Sequence, residues 1–176
     1  MSVQFATPTL ETARLTLRGF RASDAETFVA AFGHDRMQYA GGPMTPKLAW
    51  RHFASNIGHW VVRGFGMFIV TAKGSDTPMG IVGHWFPHGW AEREVGWVLF
   101  NAEDEGKGYA FEAADACVDH AFGALGWDTA VSYIAPENAG SIKLAERLGA
   151  TLDPDALLPE TTTPCLIYRH PHRRTA

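Results

Sequence analysis

Two glycines flank a lysine at Gly106-Lys107-Gly108, and Ala110, Ala113, Ala114, Cys117, Val118, Ala121, Phe122 and Leu125 follow with helical spacing. A glycine-bearing loop that runs into a helix start is a place where an anion can rest. The first amides of a helix have no intrahelical acceptor, and the macrodipole is positive there. Glycine lets the main chain approach a phosphate with no Cβ in between. By chemistry alone the segment is a candidate diphosphate cradle, with Lys107 adding charge at its rim. It is not a triphosphate loop, because GxxxxGK[ST] is absent. It is not the dinucleotide fingerprint either: Phe111 stands where the third glycine belongs, and no early βαβ unit surrounds it. The same two glycines would equally serve as a plain tight turn into a helix.

Other reactive side chains are less concentrated. Glu92 and Glu94 lie two apart, on one face of an ideal strand. The two cysteines, Cys117 and Cys165, have no CxxC spacing, which excludes a disulfide framework or a zinc–thiolate site. Cys117 sits among apolar residues and reads as a small core side chain. His84 and His88 are four apart, but Pro87 between them argues against a shared helical face, and HExxH is absent. No metal site is expected.

Lys plus Arg number 15 and Asp plus Glu 19, a net charge of -4. Basic residues cluster only in the tail from Arg169 to Arg174, so a nucleic-acid binder is not expected. No run reaches the ~18 apolar residues of a membrane span. Met1 to Leu10 has neither a basic n-region nor a long apolar segment, which points to the cytoplasm. The length of 176 residues suits a single domain over 1–176.

The elements that must position these groups follow from periodicity. Leu15 and Leu17 alternate with Arg14, Thr16 and Arg18, a half-buried strand. Ser23 and Glu26 form a capping box ahead of an amphipathic helix through Phe32. Trp50, Phe53, Ile57, Trp60 and Val61 give a second helix that Gly64 ends. Three strands, 67–72, 79–86 and 92–100, are joined by short turns and should pair antiparallel. A helix from Ala110, a strand over 129–135, a helix ending at Gly149, a loop over 153–164 and a last strand over 165–169 complete the chain. The predicted class is α+β: a mixed, mostly antiparallel sheet flanked by helices in three layers.

Several segments together resemble the GNAT N-acetyltransferase superfamily. Trp97-Val98-Leu99-Phe100, followed by Glu105-Gly106-Lys107-Gly108-Tyr109-Ala110-Phe111-Glu112-Ala113, resembles its motif A. Pro136-Glu137-Asn138-Ala139-Gly140-Ser141, continuing to Leu148-Gly149, is similar to its motif B. The forms GxGYAxEA and PENxxSxxLxExLG, with the opening TARLTLRGFRASDA, are similar to the ribosomal-protein branch, over roughly residues 10 to 150. The resemblance implies a three-layer α/β/α fold with a V-shaped cleft for acetyl-CoA. It implies that the main chain of Val98, Leu99 and Phe100 pairs with the pantetheine arm. The pyrophosphate would rest on Glu105, Gly106, Lys107, Gly108, Tyr109 and Ala110, and Asn138 would reach the pantetheine region. Asn138 is also a good helix N-cap. One departure is Glu103, an acid where the family carries Gln or Arg.

The implied reaction is attack of a neutral amine on the acetyl thioester. Glu94, in a Glu-x-Gly-Trp that resembles the family's Glu-x-Gly-Tyr, is the candidate base. The family's motif B tyrosine acid falls at Ala145, leaving Ser141, which resembles the serine assigned this role in the ribosomal-protein branch. Tyr109 and Tyr133 are substitutes. The aromatic segment from Trp85 to Trp90 could wall an acceptor pocket, pack against a second subunit in a homodimer, or join the core. The acceptor would be a protein N-terminus or a small-molecule amine. The alternative is a non-catalytic acyl-CoA sensor with the same cradle; an unrelated nucleotide-binding domain is a third reading.

Overall fold

A computed structural model describes residues 6–160 and 164–173. Eight strands form one sheet: β1 (Leu10–Glu11), β2 (Leu15–Arg18), β3 (Met67–Ala72), β4 (Gly80–Trp85), β5 (Glu94–Leu99), β6 (Val131–Ile134), β7 (Thr151–Leu152) and β8 (Leu166–Arg169). Their order is β1-β2-β3-β4-β5-β6-β8-β7. Every neighbouring pair is antiparallel except β5 and β6, which are parallel. Four α-helices flank it: α1 (Ala25–Phe32), α2 (Pro46–Arg63), α3 (Tyr109–Phe122) and α4 (Ala139–Arg147). The predicted meander is β3-β4-β5. The two shortest strands, β1 and β7, carry no periodic signal in two residues each.

Strand alternation sorts the core into two layers. Met67, Ile69, Ile81 and Phe100 meet Phe28, Phe32 and Phe53 of α1 and α2 on one face. Phe68, Val70, Val82 and Val95 meet Ala113, Ala114, Cys117 and Val118 of α3 on the other. The small inner face of α3 lets that helix lie close to β4 and β5, and burial pushes the Cys117 thiol pKa up. His84 is fully buried there, with Nε2–H donated to the Cys117 carbonyl at 2.9 Å.

The start of α1 differs from the predicted capping box. Ser23 and Glu26 do not make it; the chain enters through a 3-10 turn, Ala22–Asp24. The buried Asp24 carboxylate accepts the Arg21 amide at 2.7 Å and the Arg18 guanidinium through two contacts of 2.8 Å. An arginine on β2 competes for the acid next to the expected cap, and a bidentate buried pair outweighs a serine–amide bond. Among the described residues no helix is long and apolar enough to cross a membrane.

Candidate active site

The loop after β5 makes one 3-10 turn, Ala102–Asp104, then passes Gly106 (φ 72°) and Gly108 (φ 81°). Both sit in the left-handed region, where a side chain costs about 1–2 kcal/mol. Gly108 caps α3 with no side chain, and the first helical bond runs from the Glu112 amide to the Gly108 carbonyl. The amides of Tyr109, Ala110 and Phe111 therefore point out of the helix start without an intrahelical acceptor. A groove of about 640 Å³ runs beside this helix start and along α3, lined by Thr12, Arg14, Gly106, Gly108, Phe111 and Arg147 among others.

Cations gather round this groove while nearby acids are engaged. Arg14 donates to the Lys107 carbonyl at 3.0 Å and its guanidinium lies 4.7 Å from the Tyr109 ring centre. Arg147 lies 4.1 Å from the Phe111 ring centre. Glu112 is clasped by the Thr12 hydroxyl, the Arg14 amide and the Arg14 guanidinium. Partial burial acts to raise its pKa, but these donors outweigh that and hold it below the usual carboxylate range. Glu105 turns to Arg36 at 2.5 Å. Glu103, the acid that departs from the family pattern, is exposed and is not among the residues that line the groove.

At the other end of β5 the sheet forks. β5 and β6 share a single register pair, Glu94 with Val131, closed by the Val131 amide on the Arg93 carbonyl at 3.0 Å. One step on, a side chain replaces the ladder. The Ser132 hydroxyl donates to the Val95 carbonyl at 2.6 Å and accepts from His170 Nε2 at 2.9 Å. Burial keeps His170 neutral, with its pKa lowered to about 4. Beyond this latch the β6-facing edge of β5 has no strand partner among the described residues.

Which residues face that open edge corrects the sequence reading. The Phe100 amide bonds to the Met79 carbonyl at 2.8 Å, and the Val98 carbonyl lies 2.2 Å from where a Cβ on Gly80 would be. Both residues turn their main chain toward β4. By alternation the cleft receives the polar groups of Trp97 and Leu99. Val98 and Phe100 are displaced from the predicted role because a strand's amides alternate between neighbours.

Glu94 stands at the fork, half-buried. Trp90 Nε1–H donates to its Oε2 at 2.7 Å, and the Tyr133 amide also faces the carboxylate. Burial pushes its pKa up to about 7, partly offset by these two donors. Cys165, at the start of β8, lies near enough that the Glu94 charge adds to the upward push of burial on its thiol. Glu92 has a different task. Arg169 grips both its oxygens at 2.7 and 2.9 Å and also holds Asp153 at 2.6 Å. The two acids that share a face in an ideal strand are thus divided, since β5 begins only at Glu94.

Ser141 sits in the first turn of α4. Its amide donates to Asn138 Oδ1 at 3.2 Å, so Asn138 does cap the helix. Its hydroxyl oxygen accepts Trp97 Nε1–H at 3.1 Å. Trp97 and Glu94 lie on opposite faces of β5, so Ser141 and Glu94 flank the fork from two sides, and no hydrogen bond joins them. Ala145 is fully buried in a cluster with Ile134, Ala150 and Tyr168. The Tyr133 hydroxyl accepts the Glu92 amide at 3.1 Å, and its pKa is pushed up to about 12, chiefly by burial. The aromatic segment divides: Trp85 stacks on His59 at 4.5 Å, Phe86 lies under Arg63, and Trp90 meets the Tyr133 ring edge-on. Sequence reasoning missed Arg14, Ser132, His170 and the specific roles of Trp90 and Trp97. Of these, only Trp90 stood in a segment already marked by composition.

The chain matches a family model described as an acetyltransferase (GNAT) domain over residues 14–151. It resembles the crystal structure of an acetyltransferase from Agrobacterium tumefaciens at 35% identity, covering 97% of this chain and 98% of that one, with a TM-score of 0.87. A ribosomal-protein-S5-alanine acetyltransferase from Vibrio fischeri shares the fold at 19% identity, with 94% and 97% covered and a TM-score of 0.72. So does a RimL ribosomal L7/L12 α-N-protein acetyltransferase in complex with coenzyme A, at 16% identity, 93% and 97% covered, TM-score 0.73. The forked sheet, the uncapped glycine start of α3 and these likenesses agree: the chain belongs to the GNAT acetyltransferase family.

Proposed function

We propose that this chain moves the acetyl group of acetyl-CoA to a primary amine by direct attack on the thioester. The observation that carries the reading is the fork itself. A half-buried carboxyl with a pKa near 7 stands where β5 and β6 part, on the same strand that leads into the uncapped start of α3. Free amides, two left-handed glycines and surrounding cations fit a pyrophosphate at Glu105 to Ala110. The unpaired main chain of Trp97 and Leu99 fits the amides of the pantetheine arm, with Asn138 beside it.

Within that frame the side chains divide the proton work. Glu94 takes the proton that the incoming ammonium must lose, and a pKa near 7 leaves it part ionised at neutral pH while making it a competent acceptor. Ser141 gives a hydrogen bond to the sulfur as negative charge develops. Its oxygen already accepts from Trp97, so its own O–H is free to turn to the cleft. Tyr133, held protonated, packs beside Glu94. The acceptor is a protein N-terminus or a small-molecule amine, and the ribosomal-protein neighbours place peptides with free N-termini first in the test.

The experiment is thiol release from acetyl-CoA, with and without a library of amines and short peptides. Amine-dependent release that collapses in Glu94→Gln supports the reading. Release that survives the substitution removes Glu94 as base. Acetyl-CoA binding without release under any amine would favour the acyl-CoA sensor.

A further inference from the structure

Glu94 has one side-chain partner among the described residues, and that partner is Trp90. Trp90 lies in the β4–β5 turn, itself tied down at three points. Its amide bonds to the Pro87 carbonyl at 3.3 Å, the Glu160 amide bonds to the Gly89 carbonyl at 2.8 Å, and the indole rests edge-on against Tyr133. The indole nitrogen clamps Oε2 at 2.7 Å, while Oε1 lies over Gly96, 3.5 Å from where a Cβ there would stand. Glu94 is in none of the ion pairs among the described residues. The groups that face it are the Tyr133 phenol and amide on β6 and the Cys165 thiol at β8. From β4 the neighbour is Trp85, with His59 of α2 stacked behind it, and Glu92 is held by Arg169. Among the described residues no cation therefore orients this carboxylate; a neutral N–H does.

We infer that Trp90 is a positioning residue for the transfer: its indole N–H holds the Glu94 carboxylate over Gly96, facing the fork, and favours its ionised form. The inference rests on the reading of Glu94 as proton acceptor. A hydrogen bond to a charged group is worth more than one to a neutral group, so the clamp stabilises carboxylate over carboxylic acid. Phenylalanine at position 90 would keep an aromatic wall and remove the donor.

Two measurements test this. In Trp90→Phe the acid limb of the kcat/KM profile moves up by about one pH unit, so the rate loss is about tenfold at pH 6.5 and shrinks toward pH 9. A uniform loss at every pH, with the limb unmoved, would reduce Trp90 to a wall and overturn the inference. The second measurement needs no working variant at position 90. Among the indole N–H signals of the 6 tryptophans in 15N-labelled native protein, one should titrate with a midpoint near 7 and cease to do so in Glu94→Gln. If no indole signal follows Glu94, the clamp does not exist in solution. If the indole titrates but Glu94→Gln retains full turnover, the clamp stands and the assignment of Glu94 as proton acceptor fails instead.

Discussion

The two ends of β5 lie a few residues apart and work in opposite media. At the C-terminal end, Gly106 and Lys107 are exposed, no side chain caps the helix, and charges surround a wide groove. At the N-terminal end, Glu94 is half-buried among Trp90, Tyr133 and Cys165, with no cation paired to it among the described residues. On the proposed function, an exposed anion site can rely on many weak, screened donors, because a phosphate already carries its charge. The proposed proton acceptor needs the reverse: enough desolvation to lift a carboxyl toward neutrality, and a neutral donor to keep it ionisable. If the proposal holds, cofactor binding and proton transfer can be damaged separately.

The largest separation is expected from Glu94→Gln. Turnover should fall by about 10²–10⁴-fold while acetyl-CoA affinity, read by calorimetry, changes little. The same variant should be more stable at pH 8. The Glu94 pKa rises from 4.5 unfolded to about 7 folded, so its contribution is intact below 4.5 and declines as pH rises toward 7. Above pH 7 the folded state carries a disfavoured charge, which glutamine removes; a melting-temperature rise on the order of a few degrees is expected. Equal stability of the two proteins at pH 8 would mean that the carboxylate is well solvated.

Gly108→Val should give the mirror image. A β-branched residue at φ 81° strains the start of α3 and covers the amides, so acetyl-CoA affinity should fall at least about tenfold. With acetyl-CoA saturating, turnover should recover most of its value. A turnover loss that saturation does not repair would erase the division between the two ends.

Smaller effects sharpen the fork between them. Ser141→Ala should slow turnover by about tenfold without moving the acid limb, because on the proposed reading it removes a donor to sulfur and not the base. Ser132→Ala leaves the Val95 carbonyl and His170 without their buried partner, a loss of about 1–3 kcal/mol by denaturant unfolding. Its kinetic effect should be the smallest, a few-fold rise in KM for acetyl-CoA. Unchanged stability would mean that the strands part without the latch.

Much of the frame was legible because the relevant signals are local. Alternation marked β2, apolar runs bounded by short turns marked the β3-β4-β5 meander, and glycine marked both the start of α3 and the end of α4. Glu94 and Ser141 entered as candidates through the resemblance of their motifs to the family's, and their proposed roles await the tests above. The predicted start of α1 failed because Arg18, six residues before Asp24 and on another element, takes the acid beside the expected cap. The pairing of Val98 and Phe100 failed for a related reason: which amides face a cleft depends on the neighbouring strand's register, and no single strand encodes it.

The sequence by itself determined the element types, the class of sheet, the glycine loop and the residue kinds at the site, since these follow from periodicity, backbone freedom and short spacing. Only the tertiary structure decided what those residues do to one another. The latch joins residues 38 apart, the Arg169 grip on Glu92 spans 77, and the Arg14 clasp on Glu112 spans 98. Burial, and with it the Glu94 pKa near 7, arises only where distant segments meet, the turn that carries Trp90 and the strand that carries Tyr133 among them. Desolvation is a property of the space around a group, and that space exists only after the strands and helices around the fork have come together.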